Sequence, residues 1–62
     1  METVSITKNF VTFAEAATWA DDEIAEYLAD GYECSYLCVS KYESGMEQNV
    51  IFSVSITVEK GE

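Results

Sequence analysis

The chain has no histidine, no arginine and no proline in 62 residues. Without histidine, the commonest general base is missing, and so are the serine and cysteine triads built around it. Without arginine, three lysines are the only cationic side chains. The three glycines stand apart at Gly31, Gly45 and Gly61, so no glycine-rich loop exists to cradle a phosphate. Asp21-Asp22-Glu23 lacks the spacing and the central glycine of a calcium loop. No apolar run approaches the roughly 18 residues that span a bilayer. The opening METVSITKNF has neither the basic start nor the apolar stretch of a signal peptide, so a cytoplasmic location is the default expectation.

Cysteine is scarce too. Cys34 and Cys38 lie four apart in a segment of strand character, about 13 Å from each other at roughly 3.3 Å per residue. A disulfide needs Cα atoms within about 7 Å, so the pair is expected neither to bridge nor to share a metal. The two are read as small buried hydrophobes. Paired acids can run glycosidase chemistry, but only in a cleft, and a single-layer domain this small has little room for one. The sequence predicts no enzyme, no catalytic residue, no metal and no cofactor.

What is present is negative charge. Twelve carboxylates oppose three lysines, for a net charge of −9. That argues against direct contact with nucleic acid or an anionic membrane, both polyanions. Hydrophobic residues make up 48% of the chain, too many for a disordered acidic tail. Residues 1–62 are expected to form one domain. A chain this short buries only about 60% of its unfolded surface, and with disulfides and metals set aside, assembly into a homodimer or larger species is the expected support.

The patterning gives β-α-β-β, an α+β fold. Val4 and Ile6 alternate with Thr3, Ser5 and Thr7 as a short strand, left by way of Lys8 and Asn9. Thr12 and Glu15 match a capping box. From Phe13, apolar residues at 13, 17, 20, 24 and 28 form one helical stripe, and Gly31 stands where a C-terminal cap belongs. Tyr32–Tyr42 then alternates, with Cys34, Tyr36 and Cys38 on one face and Ser35, Leu37 and Val39 on the other. A turn is expected over 43–48. Asn49–Lys60 has the clearest period of two, with Val50, Phe52, Val54, Ile56 and Val58 on one side. This last strand, the most apolar, is placed in the centre, antiparallel to both others, with the helix on its valine face. The open face would carry Ser5, Thr7, Ser53, Ser55 and Thr57, together with Leu37, Val39 and Ile51.

The helix collects Glu15, Asp21, Asp22, Glu23, Glu26 and Asp30 with no cation among them. At 100° per residue, Glu15, Asp22 and Glu26 point away from the expected stripe, with Trp19 beside them; Asp21, Glu23 and Asp30 flank it. Charge runs are commonly just solvated faces, but a face selected for solubility mixes signs and gains i,i+4 pairs. Uncompensated charge opposes folding, which points to a basic protein surface as its use. Glu15, Trp19, Asp22, Glu23, Glu26 and Asp30 are the expected contact residues, with Trp19 as an exposed anchor. If the helix instead begins at Thr18, the indole would fold onto the sheet edge.

Gly31-Tyr32-Glu33 at the helix end and Phe52-Ser53 in the last strand resemble features of small acidic β-α-β-β proteins of Gram-positive bacteria and their phages, sporulation-associated ones included. The order of elements is also similar to that of the flavin-binding dodecins, whose sheet-borne tryptophan has no counterpart here. Size and acidity resemble anti-defence inhibitors. These resemblances imply a phage or mobile-element inhibitor of a host nucleic-acid-handling or defence protein, or else a structural or regulatory homo-oligomer or a dodecin-like carrier.

Overall fold

The computed structural model describes residues 2–43 and 50–61. Strand β1 (Glu2–Phe10), helix α1 (Phe13–Ala29), strand β2 (Glu33–Glu43) and strand β3 (Val50–Lys60) follow one another. The fold is α+β, with one sheet of order β1-β3-β2. Both outer strands run antiparallel to β3. Beyond Glu43, the expected turn lies outside the described residues.

Strand β3 is central because it alone can be buried along its length. Val54, Ile56 and Val58 are fully buried, while the alternate residues Ser53, Ser55 and Thr57 face the open side. On that side hydroxyls pair across strands: Ser5 Oγ lies 3.1 Å from Thr57 Oγ1, and Thr7 Oγ1 lies 3.3 Å from Ser55 Oγ. Strand β1 is longer than its composition suggests. Lys8 and Asn9 do not end it but pair with Val54 and Ser53, because β3 offers a ladder past the point where local propensity fades.

A bulge changes the faces of β2. The register slips between Cys34 and Tyr36, with Ser35 as the extra residue. The Ser35 hydroxyl donates to the Thr57 carbonyl at 3.2 Å. Beyond it every side chain is on the face opposite to the one expected. Leu37 and Val39 pair with Ile56 and Val54 and so belong to the helix side; Tyr36 and Cys38 pair with Thr57 and Ser55 and belong to the open side. Cys34 and Cys38 therefore lie on opposite faces. Both are free, Cys34 exposed and Cys38 half-buried, rather than the buried pair expected.

Helix α1 is fixed at both ends. Thr12 is extended (φ −128°, ψ 151°) and its Oγ1 accepts from the Glu15 N–H at 3.2 Å. At the far end Gly31 takes φ +92°, where a Cβ would be strained. The Tyr32 N–H donates to the Tyr27 carbonyl at 2.9 Å and the Gly31 N–H to the Leu28 carbonyl at 3.1 Å. That bond pair is a Schellman motif, and the Tyr27–Tyr32 edge-to-face contact at 5.3 Å supplies its hydrophobic closure.

The helix sits rotated from the expected stripe. Ala16 and Ala20 are its buried residues, with Trp19, Ile24 and Tyr27 packed around them, whereas Phe13 and Leu28 are exposed. This is a turn of roughly 60° about the helix axis at 100° per residue. Two alanines let the backbone approach the valines of β3; the larger Phe13–Leu28 stripe would hold it away. The result is a thin slab of 48 × 18 × 11 Å. Its accessible surface is 4452 Å² for 6.9 kDa, against about 4,000 Å² for a compact monomer of that mass.

Candidate functional site

The rotation carries the helix acids from its crest to one flank. Glu15, Asp22, Glu26 and Asp30 are exposed. Their spacing, with Trp19 interposed, puts them in one line along the helix. Trp19 identifies the side. Its ring lies 5.5 Å from that of Phe10 on β1, so the acidic line runs above the β1 edge. Glu23 is half-buried at the rim, and Asp21 is exposed on the opposite flank.

Of the two places expected for Trp19 it takes the second, folded towards the sheet edge, although the helix begins at Phe13 and not at Thr18. It is half-buried against the core, because the rotated helix brings it over Phe10. One edge still shows. With Ala14, Glu15, Thr18 and Asp22 it lines a shallow hollow, whose two carboxylates stand on either side of the indole.

The three lysines make other contacts, although Lys8 stands beside the acidic line, over Trp19. Lys8 Nζ lies 5.4 Å from the Phe10 ring centroid and 5.9 Å from that of Trp19. Lys60 Nζ lies 5.3 Å from the Tyr32 ring. Lys41 pairs with Glu43 at 3.2 Å. Among the described residues no cation pairs with a carboxylate of the helix. The aromatic seats of Lys8 and Lys60 carry no sequence signal, since they depend on which strands become neighbours.

Two other places show perturbed chemistry. The Tyr32 hydroxyl is raised above its ordinary value, chiefly by its hydrogen bond to Glu2. On the open face of β2 the Cys38 thiol is lowered, first by the Ser40 hydroxyl 3.6 Å away and then by Tyr36, whose own value is raised by the same contact. Among the described residues no three Asp, Glu or Cys side chains could hold a metal ion, and no helix is long and apolar enough to cross a membrane. Compared with protein-family models, with curated proteins and with solved structures, the chain matches none.

Proposed function

We propose that the protein is a small acidic binding module, without catalytic activity, that captures a basic protein surface on the β1-side flank of its helix. As a working identity, it inhibits a host nucleic-acid-handling or defence protein on behalf of a phage or mobile element. The observation that carries the reading is the line Glu15, Asp22, Glu26 and Asp30, exposed and with no ion-pair partner among the described residues. Carboxylates in a row can occupy the sites that a nucleic-acid-binding protein keeps for phosphates. The hollow at Trp19 adds a specific seat. A lysine or arginine side chain laid there would set its charge between Glu15 and Asp22 and its stem on the indole edge. Glu23, at the rim, would add to the field rather than touch.

The experiment uses Trp19, the only tryptophan in the chain, as its own reporter. Titration with an arginine-rich peptide should change Trp19 fluorescence, and about 0.5 M salt should abolish the change, because exposed charges are screened over a few ångströms at that strength. Replacing Glu15, Asp22 and Glu26 together by Gln, Asn and Gln should remove binding and leave the free protein at least as stable. Unaltered binding by the triple variant would overturn the reading. A pull-down from lysate at low and high salt would then identify the partner.

A further inference from the structure

The two edges of the sheet are protected unequally. Beside β1 stand the acidic line, Lys8 and the Trp19–Phe10 contact, and none of its large apolar side chains is exposed. Strand β2 is different. Tyr36, Leu37, Val39 and Tyr42 are 53, 49, 38 and 61% exposed, half of the exposed large hydrophobic residues described. They fall within seven consecutive residues and on both faces, Leu37 and Val39 towards the helix, Tyr36 and Tyr42 on the open side. A helix or a small ligand docked on the sheet would cover one face only. A strand laid along the edge covers both, and it also satisfies the unpaired backbone.

We propose that this strand is β2 of a second copy, paired antiparallel about a two-fold axis at Val39. The sequence Tyr36-Leu37-Cys38-Val39-Ser40-Lys41-Tyr42 reads nearly the same from both ends: aromatic, long aliphatic stem, small group, valine and back again. Pairing about Val39 sets Val39 against itself, Cys38 against Ser40, Leu37 against the Lys41 stem and Tyr36 against Tyr42 of the second copy. Every pair shares a face, as antiparallel partners must. The bulge at Ser35 reverses the alternation, so the regular stretch starts at Tyr36. Charge permits the contact. Residues 34–42 contain no acid, and the acidic line lies on the far side of the helix, so two chains of charge −9 meet where their repulsion is weakest. The four side chains offer roughly 400 Å² per copy, counting about 200 Å² for a whole tyrosine. The pair together falls below the roughly 1,200–2,000 Å² of a stable interface, so the dimer is weak and concentration-dependent. None of this depends on the acidic flank binding anything.

Disulfide trapping tests the register. Val39→Cys in a Cys34→Ser, Cys38→Ser background puts two thiols opposite each other, at the roughly 4.5–5.5 Å Cα spacing of antiparallel partners. Oxidised glutathione should convert it to a covalent species of twice 6.9 kDa. In the unaltered chain the two Cys38 residues would lie on a diagonal, about 7–8 Å apart, outside disulfide reach, and should stay uncoupled. Sedimentation across a concentration series should show monomer and dimer in exchange. Val39→Lys should raise the dimer dissociation constant at least about tenfold through like-charge contact, with Trp19 fluorescence reporting an intact fold; if that variant does not fold, Tyr42→Lys carries the same expectation. A monomer at every concentration overturns the proposal. So does a dimer that neither cross-links at position 39 nor responds to these changes, as would one that Ser55→Arg breaks through face-to-face stacking.

Discussion

A single side chain sets much of the chemistry on the open face. Ser40 sits 3.6 Å from Cys38 and is the leading cause of the lowered thiol value there. Thiolate, the reactive form, is therefore present at Cys38 at lower pH than in an ordinary cysteine. The rate of alkylation by iodoacetamide, followed against pH by mass spectrometry of the Cys38 peptide, should rise with a midpoint below that of the same peptide in the unfolded chain. Ser40→Ala should move that midpoint upwards; no movement would show that the hydroxyl does not act on the thiol. None of this was legible in the sequence. A plain alternation puts Cys38 and Ser40 on one face, but it gives no sign that the thiol is partly exposed and solvated rather than buried. Trp19 was legible only as two alternatives, an exposed anchor or an indole on the sheet edge, for a related reason. Its position follows from the rotation of the whole helix, which single residues do not encode.

The elements divide into those whose ends and faces are written locally and those whose faces are not. The order, the central place of β3 and the caps of α1 could all be read directly, since Thr12, Gly31 and the valine alternation act within a few residues of themselves. Two features escaped. The bulge at Ser35 adds one residue without leaving a mark on composition, and every side chain after it changes face. The helix phase was ambiguous because alanine is spread around the whole of α1, so either stripe is apolar enough; packing distance then chose Ala16 and Ala20. The N-cap offers a direct test at this scale. Thr12→Ala removes the oxygen that accepts from the Glu15 N–H and should lower stability by about 1 kcal/mol in urea denaturation. Thr12→Asn should restore most of it. Equal losses in both variants would mean that Thr12 acts through packing instead.

On the scale of the whole molecule, charge and thinness work in the same direction. Among the described residues only five buried hydrophobic side chains make the core, and a chain of net charge −9 repels itself. Sodium chloride should therefore raise the thermal midpoint of the protein between about 0.02 and 0.3 M, as the Debye length shrinks. The same salt should weaken capture of a basic peptide. Opposite signs in the two assays would separate self-repulsion from partner attraction, whereas a thermal midpoint that falls with salt would mean that favourable pairs outweigh repulsion. The order β1-β3-β2 has a further consequence, in time rather than in space. Neither outer strand has a neighbour until Val50–Lys60 has been synthesised and has cleared the ribosome. Until then β1 and β2 have no strand partner within the sheet, and β3 is the element that joins them.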